Sequence, residues 1–434
     1  MIKMKKLLML AVCSVLMVVL VACNGDDDAD GVYTLTFWTF GDSHAEYFED
    51  AAAAWNELHP DRQIRLDISV LPFGQMHQNL QMALQSGSGA PDLVDVEIQQ
   101  AGTFLNVDNI PFEPLNEEMA PFMNYLVYSR LDNFAVDGQY FGVDYHVGTM
   151  VMFYNVPVLE AAGINYRDIV TWQDFVEAGQ VVVAQTGIYM TQVETSNAIH
   201  FEAMTAQQGQ DYVTEDGRAN FATPESIRAL EMLHDMIYVY NIARPMVGGN
   251  IDDEQFYAEM AGGNLAALMA PAWYMGRFVN LMPDLSGDIA VAPIPVFNPG
   301  DNRSSSWGGT ATMVTDQANH TELAREFVVW AKADYDQAIR QWTDLGFDPV
   351  RWDVWDSEVL LEENDFTIYF GTGIFEVLSD LQDETATVRL TAPNAPIIRD
   401  HFLVNVLPNV IAEPTLSPRE ALEAADEILN AELD

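Results

Sequence analysis

The chain has 434 residues, of which 65 are acidic and only 19 are lysine or arginine, so its formal net charge is −46 at pH 7. A field of this sign repels nucleic acid and anionic lipid headgroups, which disfavours both as partners. The length is sufficient for two domains of ordinary size, each with its own hydrophobic core.

The N-terminal segment has the composition of an export signal. Three lysines lie among the first six residues and precede the apolar run from Leu7 to Ala22. This run is shorter than the ~20 residues that a helix needs to cross a bilayer, and its basic head is typical of a secretory signal. Because Leu20 to Cys23 resembles the lipoprotein box of bacteria, we expect cleavage before Cys23 and lipidation of its thiol. An uncleaved anchor is the alternative, and both place the remaining chain outside the cytoplasm.

The mature chain is expected to be more acidic still. Removal of residues 1–22 takes away three of the 19 basic residues and Cys13, which leaves 16 bases against 65 acids, a formal charge of −49, and Lys332 as the one lysine. Residues 23–30 form an acidic linker. Such a composition is typical of a halophilic or alkaliphilic exterior, since carboxylates stay hydrated in brine and guanidinium groups stay protonated in alkali. Compositional drift is the alternative.

Strands and helices alternate in the first hundred residues. The patterns predict a strand at 33–40, a helix at 45–58, a strand at 63–70, a helix at 75–86 and a strand at 92–96. Ser43 and Glu46 have the spacing of a capping box before the first helix. A β-α-β-α-β order predicts a parallel sheet covered on both faces, with ligand chemistry at the carboxyl ends of its strands.

A second α/β unit follows from about residue 140. Thr171 is predicted to cap one of its helices, and Pro224 is predicted to occupy the first turn of another. The patterns predict strands at 265–269, 289–292 and 309–314 and helices at 157–162, 172–186, 224–240, 322–333 and 418–433.

Signatures of the common catalytic classes are absent from the sequence. It contains no Walker loop, no G-x-S-x-G and no H-E-x-x-H, and its eight histidines are scattered. We expect no cofactor, and we expect no metal at the acidic run from Asp26 to Asp30, which begins like a calcium loop but has Phe37 at its twelfth position. With 65 acids, carboxylate pairs occur by chance at any spacing, so sugar hydrolysis stays open.

Aromatic residues lie where predicted strands begin or end. Trp38 is near the end of the first strand, Trp273 and Tyr274 follow another strand, and Trp307 precedes a third. Aromatic faces pack against the C–H faces of sugar rings, while carboxylates accept hydrogen bonds from ring hydroxyls. The positions favour a neutral carbohydrate site, and a place in the hydrophobic core is the alternative for each ring.

Several short motifs together resemble the family 1 extracellular solute-binding proteins of ABC sugar importers. The motifs that carry this resemblance are Asp137 to Gly142, Phe153 to Asn155, Ala162 to Ile164 and Thr171 to Phe175. Further stretches are similar to the arabinose and arabino-oligosaccharide branch, at residues 270–275, 282–285, 293–295, 307–310 and 345–349. The likeness covers nearly the whole mature chain.

The resemblance implies an α/β fold, a two-lobed clamp whose interleaved lobes are joined by hinge strands and close over a sugar. Lobe 1 would comprise residues 31–145 and 308–343, and lobe 2 would comprise residues 146–307 and 344–434. The implied ligand contacts are Trp38, Asp42, Glu97, Tyr145, His146, Trp273, Tyr274, Trp307, Gly308, Arg351 and Trp352.

The function implied by the resemblance is capture of a neutral sugar or short oligosaccharide, which a lipid-anchored monomer without enzymatic activity passes to ABC permease subunits. Two other functions stay open. One is a surface lipoprotein glycoside hydrolase, and the other is a binding protein for a solute that is not a sugar.

Overall fold

A computed structural model describes residues 31–386 and 389–433, so the predicted signal, Cys23 and the linker lie outside the described residues. Most of its strands belong to two α/β lobes, each built around its own sheet. The strands of three residues or more are β1 (Val32–Thr39), β2 (Gln63–Val70), β3 (Leu93–Glu97), β4 (Gly142–Asp144), β5 (Met150–Asn155), β6 (Thr191–Val193), β7 (Ala243–Pro245), β8 (Ala267–Pro271), β9 (Ile289–Pro293) and β10 (Thr310–Val314).

Helices cover the sheets and fill most of the C-terminal quarter. Within the described ranges, none of them has both the length and the apolar character needed to cross a membrane. The helices of six residues or more are α1 (Asp42–Leu58), α2 (Phe73–Ser86), α3 (Ile98–Leu105), α4 (Val156–Ala161), α5 (Trp172–Thr186), α6 (Ile199–Ala206), α7 (Pro224–Tyr238), α8 (Glu254–Ala261), α9 (Met275–Leu281), α10 (Thr321–Ala333), α11 (Tyr335–Leu345), α12 (Asp365–Phe370), α13 (Ile374–Asp380), α14 (Ala395–His401) and α15 (Pro418–Leu433).

The sheet of lobe 1 has the order β2-β1-β3-β10-β4. Strand β1 pairs in parallel with β2 and β3, as the alternating pattern predicts. The expectation of a wholly parallel sheet is wrong at β10, which runs antiparallel to β3 and β4. This strand enters the sheet on the return from lobe 2, so it runs in the opposite direction from the strands that precede the crossing.

Alternation along β1 divides its side chains between two apolar layers. Leu35 and Phe37 are fully buried and pack with Phe48 of α1 and Phe327 of α10. The opposite face of the sheet belongs to the larger apolar cluster, which includes the fully buried Met76 of α2. Both faces of the lobe 1 sheet are therefore covered, as predicted.

Two of the three helix N-termini predicted from the sequence have the predicted residues in place. Thr171 and Asp174 form a capping box at α5, and Pro224 occupies the first turn of α7, as predicted. The expected capping box of Ser43 and Glu46 is wrong, because α1 begins at Asp42 with Gly41 as its N-cap and without a side-chain cap.

The sheet of lobe 2 is antiparallel at its centre, where β5 lies between β8 and β9. Strands β6 and β7 form a parallel pair at its side. A bridge between Tyr189 and Leu265, and a 2.8 Å bond from the Ala267 N–H to the Met190 carbonyl, connect this pair to β8. Five strands thereby form the frame of lobe 2.

Three chain segments lie side by side between the two sheets. The backbone N–H of Trp307 donates to the Gly148 carbonyl at 2.9 Å, and the backbone N–H of Val147 donates to the Asp348 carbonyl at 2.9 Å. We name them the first (residues 144–149), second (306–310) and third (347–350) crossing segments. The exact division of the chain at residues 145, 307 and 343 stays a prediction.

Candidate ligand-binding cleft

Two consecutive glycines shape the second crossing segment. Gly308 has φ +75° and Gly309 has φ +146°, a conformation that residues with a Cβ rarely adopt. A Cβ on Gly309 would lie 2.0 Å from Nη2 of Arg130. The same nitrogen donates to the Gly308 carbonyl at 2.7 Å. Glycine at position 309 thus allows the Arg130 side chain to reach this segment.

Arg130 forms a buried ion pair with Asp144, with an N to O distance of 2.5 Å. The other oxygen of Asp144 accepts hydrogen bonds from the N–H groups of Tyr145 at 2.8 Å and Thr310 at 2.9 Å. Burial alone would raise the pKa of Asp144, but the neighbouring Arg130 guanidinium holds this pKa below its ordinary value. Asp144 therefore remains charged and joins the first crossing segment to the second.

His146 is buried in the first crossing segment, with its ring edge-on to Phe347 at 4.8 Å. Its Nδ1 has no hydrogen-bond partner among the described residues. Burial lowers the pKa of His146 to about 3, so the ring is neutral at physiological pH. A neutral imidazole with an unused nitrogen can bind a hydroxyl group of a ligand.

Trp273 and Trp307 lie next to each other at the second crossing segment, with ring centroids 6.3 Å apart. A Cβ on Gly308 would lie 3.0 Å from Nε1 of Trp273. Trp273 packs against the apolar clusters on both sides of the lobe 1 sheet, the larger of which continues through lobe 2. The two indole rings therefore lie where the lobes meet.

Glu202 of α6 is a fully buried carboxylate with three donors around it. It accepts hydrogen bonds from the Trp307 indole at 2.6 Å, the Tyr212 hydroxyl at 2.7 Å and the Arg399 guanidinium at 2.9 Å. These bonds connect the second crossing segment to α6 and α14 of lobe 2. The charge of Glu202 is balanced by Arg399 at a side-chain distance of 2.9 Å.

Glu97 approaches this cluster from lobe 1. It ends β3 and caps α3, where its side chain accepts the Gln99 N–H at 2.8 Å. Burial raises the pKa of Glu97 to about 8, and the nearby carboxylates of Asp144 and Glu202 add to the rise. Glu97 is therefore largely protonated at neutral pH. Its helix α3 packs against α14 of lobe 2, so the carboxyl group faces the junction of the lobes.

Glu194 is a second buried carboxyl group on the side of lobe 2. It follows β6 and is 1 % exposed, and the backbone N–H groups of Ile199 and His200 at the start of α6 interact with its oxygens. Burial raises the pKa of Glu194 to about 8, with a further contribution from Glu202. Two backbone N–H groups use only part of the acceptor capacity of a carboxyl group, so a ligand hydroxyl can supply a further hydrogen bond.

The other predicted contacts of lobe 1 lie away from this cluster. Trp38 is half-buried in β1 beside Val94, and Asp42 is exposed at the start of α1. Tyr145 is fully buried, stacks on His44 at 4.3 Å and donates its hydroxyl to Asp95 at 3.2 Å. These side chains belong to the core or the surface of lobe 1.

Three more predicted contacts are bound by other protein groups. Tyr274 is fully buried and donates its hydroxyl to the Ile251 carbonyl at 2.5 Å. Arg351 is bound by Asp353 at 2.6 Å, and Trp352 packs against Trp355 with centroids 5.8 Å apart. The structure thus brings together Glu97, His146, Trp273, Trp307 and Gly308. Tyr145 and Tyr274 adjoin this group, with the Tyr274 ring centroid 6.0 Å from that of Trp273, but their hydroxyls bind Asp95 and Ile251. The structure does not bring the remaining four to the group. A role in binding stays a prediction for all eleven residues.

Sequence reasoning missed Arg130, Glu194, Glu202 and Arg399. No local pattern marks these positions, because their partners are distant in sequence. In a chain with 65 acidic residues, nothing in the sequence distinguishes one carboxylate from the others. Within the described part of the chain, no group of three or more His, Cys, Asp or Glu side chains is arranged to hold a metal ion.

The family of the chain follows from its sequence. Residues 41–338 match the bacterial extracellular solute-binding proteins. The chain belongs to this family. The match covers the lobe 2 sheet and every strand of the lobe 1 sheet except β1, and it includes Trp273, Trp307 and the two glycines of the second crossing segment.

Two relatives of this solute-binding protein are similar over nearly the whole chain. The arabinooligosaccharide-binding protein of Halalkalibacterium halodurans is 43 % identical over 408 residues, which cover 94 % of this chain and 91 % of the relative. The arabinooligosaccharide-binding protein of Bacillus subtilis is 39 % identical over 422 residues, 96 % of both chains.

Solved structures share the fold at lower identity. The ABC transporter associated binding protein of B. animalis subsp. lactis, solved with β-1,6-galactobiose, has a TM-score of 0.75 at 20 % identity and covers 92 % of this chain and 97 % of its own. The sugar-binding protein MalE of Xanthomonas citri has a TM-score of 0.75 at 19 % identity with the same coverage. The predicted family of extracellular solute-binding proteins and the two-lobed fold are confirmed.

Proposed function

We propose that this solute-binding protein captures an arabino-oligosaccharide between its lobes and passes it intact to permease subunits. One observation carries the proposal: the indole rings of Trp273 and Trp307, 6.3 Å apart at the junction of the lobes, adjoin the buried carboxylate of Glu202. Indole faces pack against sugar C–H faces, and carboxyl groups bind sugar hydroxyls. The names of the two relatives with 43 % and 39 % identity support an arabinose-type chain.

The charges in the cleft favour an uncharged ligand. The arginines that reach it are already paired, Arg130 with Asp144 and Arg399 with Glu202. Arg277, whose guanidinium lies 5.7 Å from the ring centroid of Trp273, is paired with Asp252. An organic anion needs unpaired guanidinium groups that converge on it. The neighbouring carboxyl group of Glu97, with a pKa of about 8, further disfavours an anion once it ionises.

The proposed site has residues from both lobes and from two crossing segments. Lobe 1 provides Glu97, and lobe 2 provides Trp273 and Glu194. The first crossing segment provides His146, and the second provides Trp307 and Gly308. A ligand that contacts groups on both sides binds the closed arrangement of the lobes more tightly than an open one. Its binding therefore favours closure. No covalent step is required.

Calorimetric titration of the purified protein with arabinose, arabinobiose, arabinotriose, xylotriose and maltotriose tests the proposal. We expect selective binding of the arabinose chains, and we expect chromatography of the incubated sugar to show that it remains intact. Binding of none of the five sugars, or equal binding of all three trioses, contradicts the proposed ligand. Steady cleavage of arabinotriose would instead show a glycoside hydrolase.

We further propose that Cys23 carries the lipid that holds this monomer on the outer face of the cytoplasmic membrane. The basic head and the short apolar run before it support this assignment. The excess of acids over bases, −46 in the whole chain, supports a setting of high salt or high pH. Unfolding temperatures that fell steadily with added salt and with rising pH would contradict that setting.

A further inference from the structure

A groove lies between α2 and α3 on the surface of lobe 1. Its volume is about 180 Å³, and its walls include Phe73, His77 and Gln78 of α2 and Gln100 and Phe104 of α3. Helix α2 begins shortly after β2, and α3 begins directly after β3. The groove therefore opens at the carboxyl edge of the parallel strands, where open α/β sheets bind their ligands.

The chemistry of the groove is uncharged. The described residues that line it include no aspartate, glutamate, lysine or arginine, although 65 of the 434 residues are acidic. The side-chain amides of Gln78, Gln81 and Gln100 make no hydrogen bond to other described residues, so their donors and acceptors face solvent or a ligand. Each amide offers two donors and an acceptor, which matches the hydroxyl groups of a neutral sugar.

Aromatic rings line one end of the groove. Phe73 is 42 % exposed and lies edge-on to Phe40 at 5.2 Å, while its ring is 4.6 Å from that of His77. A large aromatic side chain that is this exposed leaves apolar surface available for stacking. Side-chain amides on both helices and a partly exposed phenyl ring on α2 can bind the hydroxyl groups and the C–H face of one sugar ring.

His77 connects the groove to the proposed cleft. Its Nδ1–H donates to the Phe73 carbonyl at 2.9 Å, and its Nε2 accepts the backbone N–H of Glu97 at 3.2 Å. Both ring nitrogens are therefore engaged, and the ring is held in one tautomer. His77 lines the groove and Glu97 belongs to the proposed site, so this hydrogen bond places the two next to each other.

We propose that the groove between α2 and α3 binds one sugar unit of a neutral oligosaccharide whose other units lie in the cleft. This inference rests on the proposed function. The volume of about 180 Å³ is below the range of about 300 to 1,000 Å³ for pockets that hold a whole drug-sized ligand, which suits a single ring. The groove would make affinity depend on chain length.

Calorimetric titration with linear arabinose chains of increasing length tests the inference. For the wild-type protein, we expect a step of about tenfold in affinity at the length that first reaches the groove, equivalent to about two net hydrogen bonds. In the double variant Gln78→Ala and Gln100→Ala and in the single variant Phe73→Ala, the step should shrink while the affinity for shorter chains stays unchanged. The variant Gln180→Ala, exposed on α5 of lobe 2, is the matched control.

The possible outcomes separate the two proposals. A step that persists in the folded groove variants, or a wild-type protein without any step, overturns the groove as a sugar site. A wild-type protein that binds none of the chains overturns the proposed function instead. Groove variants that keep the step but fail to support transport with a reconstituted permease would assign the groove to a protein contact and overturn the inference. Circular dichroism of each variant verifies that it is folded.

Discussion

The indole N–H of Trp307 donates to the carboxylate of Glu202 at 2.6 Å, although 105 residues separate the two in sequence. The bond fixes the second crossing segment to α6, and the same carboxylate accepts the guanidinium of Arg399 from α14. The orientation of one ring at the junction of the lobes therefore depends on two helices of lobe 2. A substitution of Glu202 should therefore change ligand affinity by changing the orientation of the Trp307 ring.

The variant Trp307→Phe removes the N–H donor and keeps an aromatic ring. Because the partner oxygen of Glu202 becomes unpaired in the interior, we expect a loss of about 1–3 kcal/mol in the free energy of unfolding, measured with urea. We also expect weaker binding of the arabinose chain. Trp172→Phe is the matched control, since Trp172 donates to Gln207 at 2.9 Å inside lobe 2. Equal affinities of the two variants for the arabinose chain would show that Trp307 is not part of the binding site.

The variant Arg130→Met tests the buried ion pair with Asp144. It leaves an uncompensated carboxylate in the interior, which costs about 3–5 kcal/mol of stability. Arg340→Met is the control, because Arg340 pairs with Asp344 at 2.8 Å on the surface, where such pairs contribute about 0–1 kcal/mol. Urea unfolding of both variants at pH 7 compares the losses. Similar losses would contradict the assigned importance of the buried pair.

Lys332 gives stability a dependence on pH. Burial lowers its pKa to about 7, against the pull of Asp95 and Asp144, and its ammonium lies 2.8 Å from the ring centroid of Tyr145. Between this pKa and the unfolded value of about 10.4, the unfolded chain holds one proton more than the folded chain. The contribution of Lys332 to folding stability therefore rises with pH across this window.

The variant Lys332→Met separates this contribution from other titrations. Its stability relative to the wild type should be highest below pH 7 and should fall as the pH rises toward 10, by about 1.4 kcal/mol per pH unit at most. Urea unfolding of both proteins at a series of pH values measures the difference. A difference that stays constant across the series would show that Lys332 titrates alike in the folded and unfolded chains.

Much of the fold was predictable because its elements carry local signals. Gln63–Val70, Trp172–Thr186 and Pro418–Leu433 have the predicted bounds, since alternation, a capping threonine and an N-terminal proline act within a few residues. The direction of β10 was not predictable in this way. Its pairing partners lie more than 150 residues away, and only the path of the chain through lobe 2 determines the direction from which it enters the sheet.

The site was predictable in part for a similar reason. The tryptophans at 273 and 307 follow or precede strands, and this position brings both to the junction of the lobes. Tyr274 has the same neighbours in sequence, but the turn of helix before α9 directs its ring inward, where its hydroxyl binds a backbone carbonyl. Neighbouring residues on a helix point in different directions, so a strand-end position alone cannot select between them.

The variant Cys23→Ala tests the proposed lipid anchor. Without the thiol that accepts the lipid, we expect the protein to move from the membrane fraction to the medium. The reason is that each acyl methylene buried in the bilayer contributes about 0.8 kcal/mol to membrane binding, and this contribution is lost with the anchor. Detergent-phase partition and immunoblotting of cell fractions measure the change. Cys13→Ala is the control and should stay in the membrane fraction. Equal distribution of both variants would contradict lipidation at Cys23.

Glu194 should lower stability as the pH rises through the neutral range. Burial raises its folded pKa to about 8, whereas an unfolded glutamate has a pKa of about 4.3. Between these values the folded chain holds one proton more than the unfolded chain, so the free energy of unfolding falls with rising pH, by about 1.4 kcal/mol per unit at most. Glutamine has the same shape and does not titrate. The variant Glu194→Gln should therefore equal the wild type near pH 4 and exceed its stability increasingly up to pH 8.

The same carboxyl group should gain further hydrogen bonds from the ligand. Because the backbone N–H groups of Ile199 and His200 fill only part of the acceptor capacity of Glu194, bound sugar hydroxyls would relieve the remaining cost of its burial. Glu194→Ala should then weaken binding of the arabinose chain by about tenfold, equivalent to one or two net hydrogen bonds, while Glu194→Gln keeps part of the affinity. The exposed Glu46→Gln is the control for the loss of one charge. If Glu194→Ala bound the chain as tightly as the wild type, the stability profile of Glu194→Gln would still report burial, but the carboxyl group would lie outside the site.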